Sequence, residues 1–311
     1  MTGATVQVEA LTRRFGDITA VDALSMDIPA GELFGLVGPD GAGKTTTLRM
    51  LAGVLHPTSG DAVVAGHSVA REPGRVRPHI AYMSQRFGLY EDLTVRENLD
   101  FYADLYRVPR ADRPARLERL FAFSNLEPFQ DRLAGQLSGG MKQKLSLSCA
   151  LIHHPSLLLL DEPTFGVDPI SRRELWTILL EMVAEGVTVI LSTAYMDEAE
   201  RCHRVALLDG GRVLALDTPQ HLKGSLDGEL VTVLAPEPRR ARDVLRAAPG
   251  LRRAALFGER LHVVVPREAG RDPAAAVRDT LGAAGIDAEV RSAEPSLEDI
   301  FIARVEGPDR G

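Results

Sequence analysis

The sequence predicts an α/β fold with an inserted helical lobe, followed by a small α+β domain of ferredoxin-like order. Three observations predict it. Short apolar runs alternate with helix-like segments before Leu93 and again after His154, the order of a sheet packed against helices. From Leu93 to His154 the pattern turns helical, with candidates separated by Pro109, Pro114 and Pro128. A turn-rich break at Gly224 to Gly228 then opens a tail rich in Ala, Arg and Pro. The domains expected are therefore 1–225, with its helical lobe at about 88–155, and 226–311.

Taken in chain order, Val6 to Leu11, Leu24 to Ile28 and Leu33 to Val37 read as strands, flanked by turn residues such as Gly31 and Gly38. Thr45 to Leu55 has the apolar spacing of a helix lying on a sheet. Val95 to Tyr106, Arg113 to Phe123 and Gly140 to Ile152 are the helices of the lobe. The strands then resume as Leu157 to Leu160, Val187 to Leu191 and Val205 to Leu208, with a helix over Arg172 to Ala184. Their near-continuous apolar character implies burial on both faces. The tail reads strand (Leu230 to Leu234), helix (Arg239 to Ala247), two strands including Leu261 to Val265, helix (Pro273 to Ala284), strand (Ala288 to Arg291) and a short helix. That order suits a βαββαβ sandwich.

Bulk properties exclude several classes. With 45% hydrophobic and 25% charged residues, the 311-residue chain can bury a real core and is not disordered in the main. A formal charge of −7 argues against nucleic acid as a partner, which would call for a basic face. Cys149 and Cys202 stand alone, without a CxxC pair or a histidine at ligand spacing, so free thiols in a reducing compartment are expected. Met1 to Ala10 does not read as a signal peptide, and no run reaches the about 18 to 20 apolar residues of a spanning helix. Membrane passage, if the function needs it, is expected from another chain.

The chemistry sits in four places. Gly38-Pro39-Asp40-Gly41-Ala42-Gly43-Lys44-Thr45, followed by Thr46, fits GxxxxGK[ST] between a strand and a helix. Small residues there let successive backbone N–H groups converge on phosphate oxygens at a positive helix end. Lys44 would neutralise β- and γ-phosphates, and the Thr45 hydroxyl would ligate Mg²⁺. Leu157 to Leu160 delivers Asp161 and Glu162 at the strand end where α/β sheets place ligands: Asp161 would hold Mg²⁺ through water, and Glu162 would orient or deprotonate the attacking water. Gln85 follows the short strand Ile80 to Met83, where an amide could sense both metal and water. Leu137 to Gln143, with Ser138, Gly139 and Gly140, opens a helix in a manner suited to anions, or with Ser138 as an ordinary N-cap.

Together these residues resemble the ATP-binding subunits of ABC transporters, in the family's order over about residues 5 to 225. The resemblance implies an α/β P-loop NTPase of the ABC ATPase type, with an antiparallel β subdomain and an inserted helical subdomain, using ATP and Mg²⁺. It makes Gln85 the glutamine loop, Ser138 to Gln143 the signature, Asp161 and Glu162 the Walker B carboxylates, and Gly166-Val167-Asp168 the D-loop. Phe15 sits where an aromatic usually stacks on adenine, with a plain core aromatic as the other reading. The family also implies a head-to-tail dimer with a second ATPase subunit, identical or different. It implies permease subunits in the membrane, and a location in the cytoplasm against the inner face of that membrane. The tail from Glu294 to Phe301 is similar to that of ABC-2 class exporters, which include drug efflux pumps. Arg86 to Arg96 is the expected contact with the membrane partner.

One position departs from the pattern. The family usually carries a histidine against the γ-phosphate after the strand that follows Walker B, and here Ala194 stands in that place within Leu191 to Glu198. A methyl group donates no hydrogen bond, so either Glu162 and the remaining groups suffice, with Tyr195 or a neighbour compensating, or the chain is the hydrolysis-impaired half of an asymmetric pair. A binding-only ATP switch is a further alternative. A non-transport ABC ATPase is a more distant one, since the chain has neither a long coiled-coil insertion nor a second cassette.

Overall fold

A hairpin opens the chain: β1 (Val6–Phe15) and β2 (Ile18–Ile28) pair antiparallel from Val6–Ile28 to Phe15–Ile18. The two-residue turn between them uses Gly16 at φ 57°, which glycine adopts without strain. The computed structural model describes residues 3–85, 88–248, 251, 253–267 and 272–305. By its contacts the chain divides into two units, one ending at Leu216 and the other starting at Asp217.

In the first unit β3 (Leu33–Val37) leads through the glycine-rich loop into α1 (Lys44–Leu51), after which β4 (Ser59–Val64) and β5 (His67–Ser68) return to the hairpin sheet. That antiparallel sheet has the order β2-β1-β4-β5. The short α2 (Pro73–Val76) precedes β6 (Ile80–Met83). Then come the lobe helices α3 (Val95–Leu105), α4 (Arg113–Ser124) and α5 (Gly139–Leu151). Thr94 and Glu97 form a capping box at the start of α3. The buried Asn98 amide donates to the carbonyls of Tyr90, Leu93 and Thr94, fixing the entry to the lobe.

The chain re-enters the core at β7 (Leu157–Asp161), crosses by α6 (Pro169–Ala184) to β8 (Thr188–Thr193), and continues through α7 (Met196–Ala199), β9 (Arg204–Asp209) and β10 (Arg212–Asp217). The six-stranded sheet runs β10-β9-β3-β8-β7-β6, and β9, β3, β8, β7 and β6 are mutually parallel. Every residue of β3, β7 and β8 is buried. This is the two-sided burial that their unbroken apolar runs imply. All three strands end on the same side, so the loops after β3, β7 and β8 gather at one edge.

The second unit begins with α8 (Pro219–Gly224) and proceeds β11 (Glu229–Leu234), α9 (Pro238–Ala247), β12 (Arg253–Phe257), β13 (Arg260–Val265), α10 (Pro273–Ala283), β14 (Glu289–Ala293) and α11 (Leu297–Val305). Its sheet order is β12-β13-β11-β14 with antiparallel pairing, the interleaved order of a ferredoxin-like βαββαβ sandwich. Ala241 and Leu245 of α9 and Val277 and Leu281 of α10 pack with Val231, Val233, Leu261 and Val263, so these helices cover one face. On the opposite face His262 meets Asp299 of α11 at 2.6 Å.

Several elements differ from the sequence reading. The helix expected to run to Leu55 ends at Leu51, because Gly53 takes φ 63° and its N–H bonds the Met50 carbonyl. The helix expected from Arg172 starts at Pro169, since Asp168 accepts hydrogen bonds from the N–H groups of Ile170 and Ser171. Strands β4, β5 and β10 have no counterpart in the sequence reading; they are short or half-exposed and lack a long apolar run. The unit boundary falls earlier than residue 225, because α8 packs against α11.

Candidate functional site

The loops after β3 and β7 build one cluster of charge and hydroxyls. Backbone demands explain the glycines: Gly43 takes φ 96°, and a Cβ there would lie 2.5 Å from the Ala20 carbonyl oxygen. Gly38 is equally constrained, since a Cβ would meet the Leu208 carbonyl oxygen at 2.1 Å. Lys44 opens α1 and is buried, and its Nζ donates to the carbonyls of Gly38 at 2.7 Å and Pro39 at 3.0 Å. The same Nζ lies 3.3 Å from Oε1 of Glu162.

Asp161 ends β7 in a buried position and accepts from the Thr45 hydroxyl at 2.9 Å and the Ser192 hydroxyl at 2.8 Å. Tyr82 of β6 donates to its other oxygen at 3.4 Å. Burial raises the pKa of that phenol, and the Asp161 carboxylate opposes its ionisation further, so it stays a donor. Glu162 adopts φ 50°, an uncommon conformation for a residue with a Cβ; its N–H is held by the Ser192 hydroxyl at 3.0 Å. Its Oε2 accepts from the Gln85 amide at 3.1 Å. One carboxylate oxygen of Glu162 thus faces a cation and the other a neutral donor.

The predicted signature lies elsewhere on the unit. Ser138 caps α5 by accepting from Met141 N–H at 3.3 Å, Gly139 is exposed, and Gly140 lies where a Cβ would meet Ser171 Oγ at 2.2 Å. Gln143 donates to the Pro163 carbonyl, so α5 is fastened to the segment 163–171. Asp168 is held below the usual carboxylate range by the Ser171 hydroxyl and by the N–H groups of Ser171 and Ile170. Among the described residues no hydrogen bond links Ser138, Gly139 or Gly140 to the Gly38–Thr46 loop. Phe15 is 46% exposed with the Arg13 guanidinium 4.5 Å from its ring centre, so it is not a core aromatic.

Comparison with known proteins adds the family. The ABC transporter domain family matches residues 21–165. The probable multidrug ABC transporter ATP-binding protein YbhF of Escherichia coli K12 is 43% identical over 97% of this chain and 52% of its own length. The chain therefore spans about half the length of that relative. The Nod factor export ATP-binding protein I of Burkholderia pseudomallei strain 1710b is 37% identical over 97% of both chains. The chain belongs to the ABC transporter ATP-binding proteins. A solved ATP-binding cassette, a dimeric post-hydrolysis state bound to ADP and Pi, matches 68% of this chain and 98% of its own with a TM-score of 0.62 and 26% identity.

In this ABC transporter ATP-binding protein the positions expected to carry chemistry fall into three groups. Gly38 to Thr46, Gln85, Asp161 and Glu162 come together; Ser138 to Gly140 join the 163–171 segment; Phe15 stands on the hairpin. Ala194 follows β8 and is exposed. Of the expected contact segment, Arg86 and Phe87 lie outside the described residues, while Tyr90 is half-exposed beside Phe101 at 4.5 Å. No described helix is long and apolar enough to cross a membrane. Ser192 and Tyr82 are the site residues that sequence reasoning missed. A hydroxyl ending an apolar strand beside the carboxylate strand was the signal for Ser192; nothing local marks Tyr82.

Proposed function

We propose that this chain binds and hydrolyses ATP and powers an ABC-2 type membrane exporter, of drugs or other small molecules, through ATP-driven head-to-tail pairing with a second ATPase subunit. The observation that carries the reading is the convergence of Lys44, Thr45, Asp161, Glu162 and Gln85 through contacts of 2.9 to 3.3 Å at the edge where three parallel strands end. The relatives' names, multidrug transport and Nod factor export, support the exporter class. Membrane subunits and a position against the inner face of the membrane follow from that reading.

Backbone N–H groups of Gly41 to Thr45 receive phosphate oxygens at the α1 N-terminus, and Lys44 supplies the cation. The Thr45 hydroxyl and an Asp161 oxygen, 2.9 Å apart, are hard oxygen donors of the kind Mg²⁺ takes, with Gln85 nearby. No cluster of three metal-ligating side chains occurs among the described residues, and Mg²⁺ bound with substrate phosphates and water needs none. Bound there, it would neutralise charge on the transferring phosphoryl group. Glu162, aimed by the Gln85 amide, orients and deprotonates the attacking water. Exposed Ser138 and Gly139, with an anion-receptive helix start behind them, suit the partner subunit's nucleotide.

The test is the steady-state ATPase rate of the purified chain with Mg²⁺, alone and as Glu162→Gln. Loss of about 10²-fold or more in kcat with ATP affinity retained is expected; a variant that hydrolyses at the parental rate refutes the role of Glu162. A second reading, a hydrolysis-impaired subunit of an asymmetric pair, is favoured by Ala194 alone, whose exposed methyl offers no donor.

A further inference from the structure

Behind the phosphate loop lies a second polar cluster that the mechanism above does not use. The Thr193 carbonyl, at the end of β8, accepts from the Gly38 N–H at 3.3 Å, so the turn 193–195 is fastened to the start of the phosphate loop. The Thr193 hydroxyl accepts from Tyr195 N–H at 3.0 Å and donates to Oε2 of Glu198 at 2.8 Å. Glu198 is 1% exposed, a fully desolvated carboxylate. Arg172 of α6 completes the group, with Nε 3.7 Å from Glu198 Oε1 and its guanidinium 5.3 Å from the centre of the Tyr195 ring.

The pair is only half made. Arg172 Nε and Glu198 Oε1 are both buried and neither has a hydrogen-bond partner, although they face each other within ion-pair range. A buried carboxylate with an unmet oxygen beside an unmet guanidinium nitrogen is costly, and a small shift of either element would convert the contact into a charge-assisted hydrogen bond. Arg172 stands in the first turn of α6, its N–H bonded to the Asp168 carbonyl at 2.9 Å. A displacement of the segment 163–168 therefore moves Arg172, and Arg172 bears on both Glu198 and Tyr195.

We propose that Arg172 is a positioning residue for hydrolysis: through Glu198 and Tyr195 it sets the 193–195 turn against the phosphate loop, in a chain where the side chain of residue 194 carries no donor. The inference rests on the ATP-hydrolysis reading above. It assigns Arg172 no contact with nucleotide. The guanidinium acts through the Tyr195 ring, which is 40% exposed and held on one side by that stacking, and through the Thr193–Glu198 hydrogen bond.

The experiment compares kcat and KM for MgATP, with thermal unfolding, in the full chain and in Arg172→Gln, Glu198→Gln, their double variant, Tyr195→Ala and Tyr195→Phe. Expected is a loss of roughly tenfold to hundredfold in kcat for each single change at 172 and 198, with KM within about twofold. The double variant should lose no more than the worse single one. Tyr195→Ala, at an exposed position, should fall similarly, and Tyr195→Phe should restore most of that loss. Parental kcat in Arg172→Gln, whatever its stability, overturns the proposal, as does a rise in KM that accounts for the whole effect. A Tyr195→Phe variant as slow as Tyr195→Ala also overturns it, because the phenol hydroxyl would then be the acting group. A parental chain without ATPase activity defeats the hydrolysis reading and this inference together, an outcome distinct from variants that match an active parent.

Discussion

Ser192 shows how much a single hydroxyl can organise: it donates to Asp161 and accepts from the backbone of Glu162, so one group aligns both carboxylates. Ala194, two residues on, raises the opposite question of a missing group. Ala194→His should raise kcat, by up to about 10² to 10³ if the absent donor limits the chemical step; single-turnover rates measure it, and an unchanged rate would place the limit elsewhere. At this scale the phosphate loop was legible because its requirements are local, glycines for positive φ and a lysine at the helix start. Ser192 and Tyr82 were not, since their links to Asp161 span 31 and 79 residues and only the sheet order brings them near.

Among the elements, α1 depends most on one residue before it. Gly43→Ala would force a Cβ to 2.5 Å from the Ala20 carbonyl oxygen at φ 96° and displace the hairpin from the phosphate loop. A cost of about 1–3 kcal/mol from the backbone conformation alone is expected, with ATP binding lost beyond it; urea unfolding and nucleotide titration separate the two. Strands β3, β7 and β8 could be read directly from sequence because all their residues are apolar or buried in the sheet centre. Strand β10 could not, since it is half-exposed along its length and offers no run to recognise. Helix α6 begins three residues ahead of the expected Arg172, because Pro169 behind Asp168 is a favourable first helical residue.

At the scale of the whole molecule, the second unit carries a fastening that depends on pH. Burial pushes the Asp299 carboxyl up, but hydrogen bonds from His262 and from the Ser296 hydroxyl and N–H outweigh it and hold its pKa below the ordinary 3.8. A depressed folded-state value stabilises the fold fully above about 3.8 and loses that contribution as pH falls through the lower folded value. The urea midpoint of Asp299→Asn should therefore lie below that of the parent at pH 6, with the gap closing at the acid end below 3.8. A gap that stays constant with pH would show that the carboxylate charge is not what fastens α11. The βαββαβ order of this unit was legible from its periodicities. The fastening was not, because nothing in the stretch from Glu294 to Phe301 shows that Asp299, bonded by the Ser296 hydroxyl beside it, also meets His262 on β13.

The contact between Lys44 and Glu162 works as an interlock. On the proposed reading, a phosphate that takes the place of Oε1 of Glu162 at the ammonium, with the Gly38 and Pro39 carbonyls keeping theirs, would free that oxygen to face water as the substrate is seated. Until then the base is occupied as a counter-ion. Arming and loading would then be one step, with no separate moment at which that carboxylate stands ready without a phosphate beside it.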